Sequence, residues 1–271
     1  MSGTMRMTFS SALRAELLKL PRSPLVVAHA ACALAAGFAC GAYFSATPWD
    51  PSFGTDAYVQ FLGALMPLMA GIACGLSVDE ERRAGRLANL LAAPSRRAAV
   101  LAKLAVLWIA ASLTLTAAIS LFSCILALAG RFTLPLSSLA LSAGGLALGS
   151  LPLYALSLAL SLRFGRNASI AVGAAGMLVA FFSVGGLAHG LMTGSLTGAM
   201  PSGALGAIPF CWAARLGSLG VESAIASTVG CVGAVIGAAS WLVPACTTLC
   251  ALASAVLTAW FVRFEEGRGD A

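Results

Sequence analysis

Residues 78–103 read VDEERRAGRLANLLAAPSRRAAVLAK, the most densely charged interval of an otherwise apolar chain. It holds three of the ten carboxylates (Asp79, Glu80, Glu81) and six of the sixteen Lys and Arg residues. Long apolar runs flank it on both sides, so it reads as a loop between two membrane spans. Its pattern is helical. Leu87, Leu90 and Leu91 stand at i, i+3 and i+4 and share one face. Asp79 and Glu80 precede Arg82 and Arg83, an order that suits the helix dipole. Pro94 closes the pattern, because proline removes a backbone donor and clashes with the preceding turn. The expectation is an amphipathic helix over 79–93 at a membrane surface, which touches either lipid headgroups or a protein.

The rest of the chain supports that setting. Of 271 residues, 59% are hydrophobic and 10% charged, against about 25% charged in an ordinary soluble domain. So little polar surface excludes a water-soluble fold. The net charge of +6 then reflects the bias of basic residues toward inner loops rather than a nucleic-acid partner. Seven of the eight cysteines lie within apolar runs, Cys211 alone falls in a loop, and no CxxC occurs. They read as small packing residues rather than a disulfide or metal framework.

Outward from the loop, the spacing predicts six spans: 25–46, 58–78, 100–129, 137–162, 168–190 and 240–262. Upstream, Phe9, Leu13, Leu17 and Leu20 form a helical stripe within 5–20, predicting an interfacial helix on the inner leaflet. Ser23-Pro24 supplies a cap and a first-turn proline for the first span. Lys103 is expected to snorkel to the interface. Residues 191–238 carry the breakers Pro201 and Pro209, Glu222 and several glycines. They read as an outer region that dips back into the membrane. With both termini inside, fourteen of the sixteen Lys and Arg fall on the inner side, Arg6, Gly267 and Arg268 lie inside, and Ser202, Arg131 and Arg215 lie outside. Small-xxx-small pairs (Gly37/Gly41, Gly71/Gly75, Gly145/Gly149, Gly186/Gly190, Gly233/Gly237) permit close helix packing.

Catalytic patterns fail on spacing. Glu80-Glu81 lacks the arginine a membrane glutamate protease needs four residues on, since position 85 is Gly. Gly194-Ser195 and Ser240 follow His189, the wrong order for a rhomboid-like serine protease, and no HExxH occurs. His29 and His189 read as hydrogen-bonded groups near span ends rather than proton relays. Glu222 reads as solvated or paired with Arg215. The only lysines, Lys19 and Lys103, do not follow glycine, so no phosphate-cradling loop exists in the chain.

The order Glu80-Glu81, Gly85, Leu90-Leu91, Pro94, Arg97, Lys103 resembles the cytoplasmic loop between the first two core helices of type-2 ABC transporter permeases. Arg86 stands where that family has Thr. Glu16-Leu-Leu-Lys19-Leu-Pro-Arg22-Ser23 is similar to the family's opening helix. Ile208-Pro209-Phe210-Cys211-Trp212-Ala213-Ala214-Arg215 is similar to a segment of its lantibiotic-immunity branch. The resemblance implies an all-α polytopic permease in the bacterial cytoplasmic membrane, with both termini cytoplasmic. It implies pairing with a second permease and with cytoplasmic ATPase subunits that carry the ATP and magnesium. It also implies export of an amphipathic antimicrobial peptide. Glu80, Glu81, Gly85, Leu87, Leu90, Leu91, Pro94 and Arg97 become the expected ATPase-docking residues, with the three leucines filling its groove. A non-transporting sensor or assembly subunit, and a proton-coupled carrier, are the competing expectations.

Overall fold

The computed structural model describes residues 7–183, 187–200 and 203–265. All regular secondary structure among them is helical. Ten α-helices follow one another: α1 (Phe9–Lys19), α2 (Pro24–Ala46), α3 (Pro51–Gly85), α4 (Ala88–Leu91), α5 (Arg96–Leu128), α6 (Leu136–Phe164), α7 (Arg166–Ser183), α8 (Leu187–Thr193), α9 (Trp212–Val229) and α10 (Val232–Val262). Six of them, α2, α3, α5, α6, α7 and α10, are long and apolar enough to cross a membrane. The expected residues Arg6, Gly186, Pro201, Ser202, Gly267 and Arg268 lie outside the described set.

Local chemistry sets the boundaries. The Ser23 hydroxyl accepts from Leu25 N–H and Pro24 takes the first turn of α2. The Asp50 carboxylate accepts from Ser52 N–H (2.8 Å) and Phe53 N–H (3.2 Å), with Pro51 behind it. That cap starts α3 seven residues before the span expected over 58–78. At 35 residues and 1.5 Å each, α3 runs about 52 Å, well past a hydrocarbon core of about 30 Å. Ser95 caps α5 through Ala98 N–H, so the span expected from 100 begins at Arg96. Gly165 (φ +89) ends α6. Of the span expected over 168–190, the described residues form α7 up to Ser183 and α8 from Leu187. The last span begins at Val232 rather than 240.

Six helices alternate in direction, which brings their charged termini to one basic end. There Ser23 Oγ donates to Glu80 (3.0 Å), Asp79 pairs with Arg166 (3.2 Å), and Arg96 donates to the carbonyls of Val262 (3.3 Å) and Phe264 (3.0 Å). Arg82 donates to the carbonyl of Ser161 (3.3 Å), which also accepts from Gly165 N–H, and to that of Leu162 (2.8 Å) in the last turn of α6. At the far end, Arg131 does the same for α2, donating to the carbonyls of Phe44, Ser45, Thr47 and Trp49.

Glycine decides how closely the helices approach. A Cβ on Gly71 would lie 2.6 Å from the Ser169 carbonyl of α7, and one on Gly37 2.8 Å from the Ala118 carbonyl of α5. Gly63 of α3 and Gly149 of α6 both press on α9, where a Cβ would come within 2.3 Å of Ala214 Cα and 2.4 Å of Ala213 Cα. A Cβ on Gly233 or Gly237 would meet no other described element within 4 Å. Of the small-residue pairs, those on α2, α3 and α6 are used inside this chain.

Candidate functional site

At the basic end, both lysines of the chain enter one ionic cluster. Lys103 Nζ lies 3.0 Å from Glu16 Oε2 and 3.1 Å from Glu81 Oε1, and donates to Ser77 Oγ at 3.1 Å. Lys19 Nζ lies 2.6 Å from Glu16 and 2.6 Å from Glu81. Lys103 is buried, 2% exposed, two turns inside α5. Burial alone would lower the Lys19 pKa, but the Glu16 and Glu81 carboxylates outweigh it and hold it above its ordinary value. The cluster fastens α1 to α3 and α5. Beside it lies a cavity of about 500 Å³ lined by Glu80, Ala84 and Asn89. Phe9, Leu17 and Leu18 face away from the bundle and are exposed.

The loop after α3 turns on two left-handed residues, Arg86 (φ 50) and Leu87 (φ 60). Each costs about 1–2 kcal/mol for a residue with a Cβ. The turn drives Leu87 (0% exposed) and Leu90 (3%) into the core, and burying a leucine returns about 1.5–3 kcal/mol. What remains outside is Arg83, Ala84, Gly85, Arg86, Ala88, Asn89, Ala92, Pro94 and Arg97. Leu91 is half-buried, and its carbonyl accepts from Arg96 Nε at 3.0 Å.

The far end holds a polar network. Ser218 Oγ donates to Asp56 (2.5 Å), and Gln60 Nε2 donates to Asp56 (2.8 Å) and Thr197 Oγ1 (2.8 Å). Residues Trp212–Glu222 of α9 are all buried. The helix starts beside Gly149, at the middle of α6, and runs to the far end. The chain before it descends from the same end, passing Gln60 at Thr197 and Ser218 at Gly198. Irregular backbone at that depth needs protein partners. Glu222 supplies them to the N–H groups of Gly198 (2.7 Å) and Ala199 (2.8 Å). Arg215 supplies them to the carbonyls of Gly198 (3.2 Å) and Gly206 (3.1 Å), with its guanidinium 5.1 Å from the Trp241 ring centroid.

A protein-family model described as ABC-2 family transporter protein matches residues 12–183. The match takes in most of α1, the charged loop and five of the six spans, more than half the chain. The chain belongs to the ABC-2 transporter family. It is therefore a multi-pass membrane permease, the non-catalytic transporter component, and permeases of this kind typically pair with an ABC ATPase. No curated protein and no solved structure matches it.

In this ABC-2 permease the residues expected to dock an ATPase are placed in two layers. Glu81, Leu87 and Leu90 point into the permease itself, whereas Gly85, Pro94 and Arg97 are outside and Glu80 sits between, held by Ser23. The single helix expected over 79–93 is corrected: 79–85 are the last turns of α3, and α4 is one turn long. The leucine face is corrected with it, because the left-handed turn at 86–87 rotates Leu87 and Leu90 inward. Lys103, expected to snorkel, is buried between the carboxylates of Glu16 and Glu81. Glu222 is neither solvated nor within salt-bridge distance of Arg215; backbone amides hold it instead. Arg215 lies within the fold rather than in an exposed loop. Glu16 and Lys103 as one site escaped the sequence reading, although a lysine two turns inside an apolar helix signals a buried partner. The i, i+4 pairs Asp56/Gln60 and Ser218/Glu222 carried a similar signal.

Proposed function

We propose that this permease is the membrane component of an ATP-driven exporter, with its basic end in the bacterial cytoplasm and an ATPase seated on the loop after α3. The observation that carries the reading is the family match, which spans that loop. The positive-inside bias supports the orientation, since Arg82, Arg83, Arg86, Arg96, Arg97, Arg163, Arg166 and Arg263 gather at one end. Both chain termini then face the cytoplasm, and α1 rests on the inner leaflet through Phe9, Leu17 and Leu18. ATP and magnesium belong to the partner ATPase. A second permease completes the pathway. The cargo is an amphipathic antimicrobial peptide of the lantibiotic or bacitracin type, a reading that rests on the likeness of residues 208–215 to that branch.

The docking role divides between the two layers. Arg86, Asn89, Pro94 and Arg97 meet the ATPase, while Glu81, Leu87 and Leu90 set the loop's shape from within. Pull-down of the ATPase by tagged permease, at matched membrane levels, tests this. Arg86→Glu with Arg97→Glu should weaken capture more than tenfold, about 1.4 kcal/mol. Capture that is unchanged by this pair excludes the loop as the docking surface. Stimulation of the purified complex's ATP hydrolysis by bacitracin or a lantibiotic tests the cargo, and a flat response to both removes it.

A further inference from the structure

Asp56 of α3 and Glu222 of α9 are both buried, 3% and 0% exposed. No described Lys, Arg or His stands within salt-bridge distance of either. An ionised carboxylate without a counter-charge is costly to bury, and a second one beside it adds repulsion, so such a pair keeps a proton. One hydroxyl joins the two. Ser218 Oγ lies 2.5 Å from Asp56 Oδ1. A Cβ on Gly198 would sit 2.3 Å from that Oγ and 3.2 Å from Glu222 Oε1. Burial pushes the Glu222 carboxyl up, and the amides of Gly198 and Ala199 pull against it.

Partner chemistry decides which carboxylate holds the proton. Glu222 faces two backbone N–H groups at 2.7 and 2.8 Å. These only donate, so a proton on Glu222 would leave one of them without an acceptor. Asp56 faces a hydroxyl, which accepts as readily as it donates. With the proton on Asp56 Oδ1, Ser218 Oγ accepts it and turns its own hydrogen toward Glu222. Gln60 Nε2 still donates to Asp56 Oδ2 at 2.8 Å. Loss of that proton takes the Ser218 hydrogen back to Asp56 and leaves two negative charges facing across it. Nearby charges are committed elsewhere. Arg215 of α9 donates to the carbonyls of Gly198 and Gly206, Asp50 caps α3, and Arg131 binds carbonyls at the end of α2. His189 of α8 is exposed, and Tyr58 of α3 stacks on Phe122. The charged residues of α5, α6 and α7 lie at the basic end.

We propose that Asp56, Ser218 and Glu222 form a pH-sensitive latch on the chain that descends before α9: a proton on Asp56 keeps residues 197–199 seated, and its loss releases them. The latch does not depend on the export reading. The folded chain holds a proton that an unfolded aspartate gives up above about pH 4. The latch is therefore complete below that pH and weakens as pH rises through the folded value.

The test uses the full chain in dodecyl maltoside, a detergent without carbonyl groups, followed by infrared spectroscopy and hydrogen exchange. Near pH 6, roughly two units above the ordinary aspartate value, a neutral-carboxyl C=O band should be present, and Asp56→Asn should remove it. With intrinsic exchange rates corrected for pH, protection at Gly198 and Ala199 should fall as Asp56 ionises. The fall should approach about tenfold per pH unit, the limit for one coupled proton. Protection at Ala99, near the basic end, should hold. Asp56→Asn cannot ionise and its NH₂ still donates to Ser218, so its protection at 198 and 199 should not change with pH. If that variant aggregates, the parent decides alone, because band and protection should disappear over the same pH range. A parent without the band near pH 6, parent protection that stays flat with pH, or an Asp56→Asn profile that still falls would each overturn the proposal.

Discussion

Single charges in this permease are held by what surrounds them rather than by their neighbours in sequence. Lys103 is nearly inaccessible, and its two carboxylate partners come from α1 and α3. Removing one member of a buried ion pair typically costs about 3–5 kcal/mol, because the partner charge stays behind. Lys103→Met should therefore lower thermal stability in detergent by several kcal/mol. Lys19→Ala should cost about 0–1 kcal/mol, since its side chain is half-exposed and screened. Equal losses in the two melting curves would refute the burial of Lys103. Glu222 makes the second case. Its two oxygens accept from two backbone N–H groups. Glu222→Gln would turn an NH₂ toward one of those donors and leave it unpaired, a loss of about 1–3 kcal/mol. Hydrogen exchange at Gly198 and Ala199 should accelerate in that variant and stay protected in Ser223→Ala.

Among elements, α9 is the one whose position depends most on absent side chains. Gly63, Gly145 and Gly149 let its backbone approach α3 and α6 within a distance no Cβ allows. Gly149→Val should push α9 outward and cost about 1–3 kcal/mol as overpacking, or more. Gly237→Ala, in an open helical position, should be neutral or stabilise by about 0.5–1 kcal/mol through helix propensity. Thermal melts of the two variants check the contrast, and a Gly149→Val protein as stable as the parent would contradict the close approach. The loop after α3 obeys a different rule. Its leucine spacing was legible, and so was its apolar face. The spacing alone left that face to lipid headgroups or a protein, whereas the left-handed pair Arg86-Leu87 turns it into the permease's own core.

For the whole molecule, six alternating helices place Ser23 and Phe264 at the same end as the charged loop. In a cysteine-free background, Asn89→Cys and Arg263→Cys should react with an impermeant maleimide only from the cytoplasmic side. Gly130→Cys and Gly230→Cys should react only from outside. Opposite reactivity of Asn89→Cys and Arg263→Cys would break the even number of crossings. The amino-acid sequence by itself determined the membrane class, the six spans and the gathering of arginines at one end. Hydropathy and charge act residue by residue against the bilayer, so they can be read without a fold. It also determined the cap at Ser23-Pro24, which is local hydrogen-bond chemistry. Only the tertiary structure decided which charges are buried, which leucines face inward and how α9 returns to its end of the bundle. Each of those depends on partners far away in sequence: Glu16 and Glu81 for Lys103, Gly198 for Glu222, Gly149 for Ala213. No local pattern records such pairings, because the energy that selects them appears only when the helices meet.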